Sequence, residues 1–537
     1  MTWNKIIIGT GISGLFVLKH LKERGIDKVL VLDKNPEPFG VWNIQNHPSV
    51  HDFTYCVSSK LYMTISDFPI PKHYPEFPSH ADILAYYKMY AQHFDLLKHV
   101  QCKVEVCNVQ KHSRGWQVET KNQKRKRYSC DHLVIACGTV NNCLNLPTDS
   151  FYENFTGLKF HADAYERYKD QLTNKKIVLV GVSDTACDLA EELKKKNNRI
   201  LLSCKQGVWL QNRHFGAYGP ADMLYNNLLD FLVKHVFGKS FSQYIIGRNY
   251  YTVPFWWGEN GHGIPEWKTE VGYLNGYYVK SREIISMVAK GQLTPIGGIT
   301  DISNTEVTYW SVDKKNNQKK KETEENVDSI IFCTGYKPFG ALKNILEEKY
   351  YKYRYKHIFS YADDQLFFVG YIRPYLTSVP MLSELQSRWI AQEIIFKNTL
   401  PTNKFERWME IQRDEEMQRK EFPVASKRLK TIVDPYDYGN MVATKIGVNL
   451  SLPYLIAHFP LELVYFYLFG TWNPHFFRLH KNGNTNEQIQ VAYANIQETA
   501  ENDTSIAVAF ALKLVIFIFV VVVFFLFFLV WLLSLKT

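Results

Sequence analysis

The glycines of Gly9-Thr-Gly11-Ile-Ser13-Gly14 stand at the GxGxxG spacing that can receive a dinucleotide. Gly9 makes the tight turn, Gly11 lets backbone approach a pyrophosphate, and Gly14 lets a helix pack close to a strand. Ser13 lies inside the same turn. Asp33 stands 24 positions after Gly9, where an acid can bond ribose hydroxyls. A second set repeats the spacing. Gly181-Val-Ser183-Asp184-Thr185-Ala186 is followed by Lys205, again 24 positions on. Ser183 and Ala186 replace the second and third glycines, and a cation replaces the acid. A cation there suits a 2′-phosphate. A merely structural turn is the competing reading for either set, more so for the second.

The elements needed to position these residues are legible around them. Lys5-Ile-Ile-Ile8 reads as a buried strand before the first turn, and a helix runs to about Arg24, where Gly25 stops it. Lys28-Val-Leu-Val-Leu32 is the next strand, ending at Asp33. Lys176-Ile-Val-Leu-Val180, a helix to about Lys195, and Ile200-Leu-Leu-Ser-Cys204 repeat the order. Phe39-Gly40-Val41-Trp42 forms a loop able to close over a cofactor. Leu133-Val-Ile-Ala-Cys137 is a further buried strand ending in Gly138, and Leu366-Phe-Phe-Val-Gly370 another. The predicted fold is α/β, with two dinucleotide-binding units. An acid in the first and a cation in the second imply FAD held permanently and NADPH exchanging.

The 537 residues exceed one core. The predicted divisions are 1–150 and 332–445 for an FAD-binding domain in two parts, and 151–331 for the NADPH-binding domain. Residues 446–504 form an apolar segment and linker, and 505–537 an anchor. Residues 514–533 carry no charge in 20 positions, enough at about 1.5 Å per residue to cross a bilayer core of about 30 Å. A C-terminal transmembrane helix is therefore expected, a buried helix being the alternative. Residues 452–470 are apolar but broken by Pro453 and Pro460, and read as a packing or membrane-surface segment.

The net charge of +10 is moderate for this length. Basic runs at 121–127 and 314–321 read as exposed turns, with contact to an anionic membrane as the alternative. Residues 313–325 read as a solvated hairpin loop. No nucleic-acid motif and no metal-ligand set is present. The nine cysteines show no disulfide framework, because Cys102 and Cys107 flank Lys-Val-Glu-Val within a predicted strand over 102–109, which holds them roughly 16 Å apart. A reducing, cytosolic setting follows.

Phe155-Thr-Gly157-Leu-Lys-Phe-His161-Ala-Asp-Ala-Tyr165 resembles FxGxxxHxxxY, the identifying motif of the flavin-containing monooxygenases. Phe332-Cys-Thr334-Gly335-Tyr336 is similar to that family's strand end, and so are Ser66-Asp-Phe-Pro-Ile-Pro71, Asn212-Arg213, Tyr218-Gly-Pro-Ala-Asp222, and Ser383-Glu-Leu-Gln386 with Arg388-Trp389. The resemblance runs from Met1 to about Trp472. It implies an FAD- and NADPH-dependent enzyme that oxygenates nucleophilic nitrogen or sulfur of a small molecule with molecular oxygen, through a flavin C4a-hydroperoxide. It also implies a hydrophobic C-terminus in the endoplasmic reticulum membrane, with the body facing the cytosol. A homo-oligomer stays open.

The resemblance assigns Gly9, Gly11, Ser13, Gly14, Asp33, Gly40, Val41, Trp42, Gly138 and Gln386 to FAD. It assigns Gly181, Ser183, Asp184, Thr185, Ala186, Lys205, Thr334 and Gly335 to NADPH. The catalytic stretch is Val57-Ser58-Ser59, where Val57 stands in place of the family's flavin-side Asn and cannot hydrogen-bond through its side chain. An oxidase releasing hydrogen peroxide, or a flavin-binding scaffold without turnover, are the alternatives. His161 reads as structural rather than as a proton shuttle.

Overall fold

The computed structural model describes residues 2–121, 126–140, 143–214, 219–224, 227–231, 234–235, 264–269, 278–281, 283–313, 316, 318–422 and 431–502. The isoleucines of Thr2–Ile8 are buried because the strand has neighbours on both edges and cover on both faces. It pairs in parallel with Val29–Leu32 on one side and Arg127–Ile135 on the other. Leu366–Phe368, more than two hundred residues later in the chain, inserts beside Arg127–Ile135, and Phe359–Ser360 and Arg354–Tyr355 extend the sheet beyond it. The first dinucleotide unit is therefore built from two separate stretches of sequence. Helix Val379–Phe396, from the later stretch, packs on helix Ile12–Lys22, from the earlier one.

The second unit is a parallel sheet among the described residues. Its order is Leu293–Ile296, Arg199–Ser203, Lys176–Val180, Ser329–Phe332 and Leu158–His161. Phe332 lies inside the last-but-one strand, so that strand belongs wholly to this sheet. Trp209–Asn212 and Tyr278–Ser281 form a separate parallel pair beside helix Asp184–Lys194.

Several expectations are corrected. Among the described residues no helix is long and apolar enough to cross a membrane, and residues 514–533 lie outside the described residues. Among the described residues the fold class is two dinucleotide-binding units, with no helix able to cross a membrane. The membrane partner and the endoplasmic reticulum placement rested on that helix and lose their support. The other apolar stretch is broken, as its prolines predict, into Leu452–His458 and Leu461–Phe469, each far shorter than a bilayer crossing. Residues 102–109 are not one strand. Lys103 has φ +58° and Val104 N–H turns to Asp33 O (2.8 Å), so pairing resumes only at Val106–His112. The cysteines are nevertheless free. The charged tip is partly strand, because Lys319–Glu324 pairs with Glu306–Val312.

Candidate cofactor and substrate site

Both glycine turns sit where a parallel strand ends and a helix begins. Gly9 has φ +110°, and a Cβ there would lie 2.3 Å from Ala136 O. A Cβ on Gly14 would lie 2.2 Å from Gly9 O, which is the close helix–strand approach. A Cβ on Gly11 would meet nothing within 4 Å. That open side faces a cavity of about 450 Å³ lined by Gly9, Gly11, Ser13, Asp33, Gly40 and Trp42, among others. The space at Gly11 and the backbone N–H groups opening the helix fit a pyrophosphate. Asp33 is buried. One carboxylate oxygen accepts from Thr10 N–H (2.7 Å) and Thr10 Oγ1 (2.5 Å), and the other from Asn35 N–H (2.9 Å). Those bonds fix the carboxylate on the cavity wall.

The loop through Gly40, Val41 and Trp42 folds over the turn, and a Cβ on Gly40 would come 3.1 Å from Gly11 Cα. Gly138 is on the wall too. Gln386 is not. It is fully buried, accepts Gly370 N–H at Oε1 (2.9 Å), and donates from Nε2 to Tyr438 OH (2.7 Å). Gly370 itself lines the cavity, so Gln386 acts on the site through it. Gly370 was read only as a strand end, yet a glycine closing a buried parallel strand was the available signal, as at Gly138.

In the second turn Gly181 keeps a positive φ of +98°. Ser183 is extended, with φ −149°, so glycine is not required there. Its Oγ accepts Ala186 N–H (3.2 Å) and donates to Cys333 O (3.3 Å), capping helix Asp184–Lys194. Ala186 is buried. Thr334 and Gly335 follow the adjacent strand, and Thr334 Cγ2 lies 3.5 Å from where a Gly181 Cβ would be. Lys205 is exposed, 3.3 Å from Asp149 Oδ2, and on neither cavity wall. Arg213 is buried and donates to Asp188 Oδ1 (3.1 Å).

A second cavity of about 440 Å³ lies between the units. Val57, Ser58, Asp184 and Thr185 line it. Trp42, Thr139, Val140, Val379 and Pro380 line both cavities, which therefore adjoin. Ser58 Oγ donates to Thr377 O (3.3 Å). Ser59 is buried off the wall, and its N–H donates to Asp222 Oδ2 (2.8 Å). His51, which sequence reasoning missed, is on the wall and nearly fully buried. Burial lowers its pKa, outweighing Glu166 3.7 Å away, so it is neutral near pH 7. Burial pushes the Cys56 thiol up, away from thiolate chemistry. His161 lies on neither wall. Its Nδ1 accepts Asp163 N–H (3.3 Å) and its ring meets Tyr336 edge-on.

The model of the family described as "Flavin-binding monooxygenase-like" matches residues 4–534. The chain is 28% identical to flavin-containing monooxygenase 5 of Homo sapiens over 501 residues, 90% of each chain. Its fold is similar to that of S-allyl-L-cysteine S-oxygenase from Allium sativum, with TM-score 0.56 and 17% identity over 94% of this chain and 99% of that one. A cyclohexanone monooxygenase from Rhodococcus sp. Phi1 bound to NADP+ gives TM-score 0.57 and 15% identity over 83% and 98%.

Proposed function

The chain belongs to the flavin-binding monooxygenase-like family, and from that premise we propose that the first cavity holds FAD while the second receives the nicotinamide and then the substrate. The protein is an NADPH- and FAD-dependent monooxygenase that oxygenates nucleophilic small molecules. Nitrogen and sulfur centres are the proposed targets. The observation that carries the site assignment is the shared wall of the two cavities at Trp42, Thr139, Val140, Val379 and Pro380.

Bound FAD would supply the redox chemistry, hydride acceptance from NADPH and activation of molecular oxygen, one atom of which enters the substrate while the other leaves as water. The chain's own residues bind, orient and exclude water. Gly11 leaves room for the FAD pyrophosphate, and Asp33 holds its ribose. The capped turn at Ser183 presents the N-terminus of helix Asp184–Lys194 to the NADPH phosphates, with Thr334 and Gly335 beside it. Lys205 reaches the 2′-phosphate once Asp149 releases it. Ser58 is held against Thr377 O, leaving Val57 to present hydrocarbon to the second cavity.

That hydrocarbon face favours loss of part of the turnover as hydrogen peroxide. A missing hydrogen bond to a charged group is worth roughly 1.5–3 kcal/mol, about tenfold to a hundredfold in a competing rate. NADPH oxidised, oxygenated thioether or amine formed, and peroxide released are measured together on FAD-loaded protein. Val57→Asn is expected to raise product per NADPH and lower peroxide. FAD-loaded protein that oxidises no NADPH would overturn the site assignment.

A further inference from the structure

Lys280 lies on Tyr278–Ser281 with 6% of its surface exposed, and Asp222 beside it with 2%. Lys280 Nζ is 3.6 Å from Asp222 Oδ2. Burying two charges is unfavourable unless each also makes directed bonds, and an apolar pair of similar volume packs as well or better. The directed bonds here run to the other unit. Asp222 Oδ2 accepts the backbone N–H of Ser59 (2.8 Å), and Lys280 Nζ donates to the backbone carbonyl of Leu376 (3.3 Å). The anion takes a donor and the cation takes an acceptor, which neither charge could do in the other's place. Lys280 is also fastened on its own side, because its backbone N–H donates to Asp184 Oδ1 (3.1 Å).

These bonds meet three walls of the second cavity. Asp184 lines it directly, Ser58 adjoins Ser59, and Thr377 adjoins Leu376. Neither Lys280 nor Asp222 lines the cavity. We propose that the buried Asp222–Lys280 pair is a positioning clamp that sets how closely the NADPH turn approaches the FAD unit. The inference rests on the assignment of the second cavity to nicotinamide and flavin. Hydride transfer requires reacting atoms about 3–3.5 Å apart, and a displacement of about 1 Å costs on the order of a hundredfold in rate. A clamp on backbone groups of both units controls that distance without touching either cofactor.

The test is the anaerobic rate at which saturating NADPH bleaches protein-bound flavin, with dithionite as a reductant that needs no clamp. Lys280→Met is expected to slow bleaching by NADPH about tenfold or more. FAD content and bleaching by dithionite are expected to stay at wild-type levels, and Lys280→Arg to restore most of the NADPH rate. Lys280→Met leaves the Asp222 charge unpaired, so the double variant Asp222→Asn with Lys280→Met is measured as well. It keeps an acceptor for Ser59 N–H, buries no lone charge and lacks the grip on Leu376, so it too is expected to be slow. A wild-type rate in either folded, FAD-loaded variant overturns the clamp. Loss of FAD from both also overturns it, since the pair then holds the fold rather than the distance. Wild-type protein that binds FAD but is not bleached by NADPH would instead overturn the assignment of the second cavity.

Discussion

A Cβ at Gly11 would enter open space, whereas one at Gly14 would sit 2.2 Å from a backbone oxygen. The two glycines are three residues apart and serve different ends. Gly11 keeps volume for a ligand, and Gly14 lets the helix approach the strand. Gly11→Val is therefore expected to give a folded protein that is colourless, because the isopropyl group occupies the pyrophosphate space. Gly14→Val is expected to destabilise the apoprotein by at least the ~1–3 kcal/mol of an overpacked core. Flavin absorbance and the melting of both apoproteins against flavin-stripped wild type separate the two effects. Ser183 shows the same logic in the second turn. Its extended backbone needs no glycine, and its hydroxyl caps the helix that a glycine would have left uncapped.

At the scale of elements, the strand Leu366–Phe368 joins the first sheet beside Arg127–Ile135 and stacks Phe367 on His132 of that strand, with ring centroids 5.9 Å apart. Burial, reinforced by Lys5, Lys397 and Lys111, lowers the His132 pKa to about 3. In the unfolded chain the ring titrates near 6.5. Between those values the unfolded state binds the proton and the folded state does not. The stability contribution is complete above about pH 6.5 and is lost as pH falls toward 3, by up to about 1.4 kcal/mol per pH unit. His132→Phe keeps the stack and removes the titration. Its stability relative to wild type is expected to rise as pH is lowered from 7 to 4, followed by denaturant unfolding at each pH. A constant difference across that range would place the ring in contact with water.

For the whole molecule, the segment Pro474–Arg478 is locked to the first unit by buried charge. Arg478 donates to Ser66 Oγ (2.6 Å), Asp67 Oδ2 (2.8 Å) and Glu384 Oε1 (2.7 Å). Burial alone would raise the Glu384 pKa. Arg478, His20 and Arg388 outweigh it and hold the carboxyl well below the usual carboxylate range. Arg478→Met leaves two buried carboxylates short of their partner. The expected cost is about 3–5 kcal/mol, as for other broken buried pairs. It is expected as a lower melting temperature in the FAD-loaded protein, with protease cutting earlier near residue 480. An unchanged melt would show that Lys19, which also bonds Asp67, and Ser66, which also bonds Glu384, satisfy the two carboxylates without Arg478.

The sequence by itself determined what is local. Strand, glycine turn, helix and acid follow one another within about thirty residues. Their roles depend on φ angles, side-chain size and spacing, which are properties of neighbours in the chain. The same reading extended the strand at 102–109 too far, because only the bond from Val104 N–H to Asp33 O shows that the backbone turns there. Tertiary structure alone decided the contacts between distant residues. Gln386 supports Gly370 instead of lining the cavity, and Lys205 meets Asp149 at the surface. Asp222 and Lys280 meet Ser59 and Leu376 across the two units. No spacing rule announces such pairs. A buried charge settles wherever the folded core leaves a backbone donor or acceptor without water, and that place exists only once both units have packed.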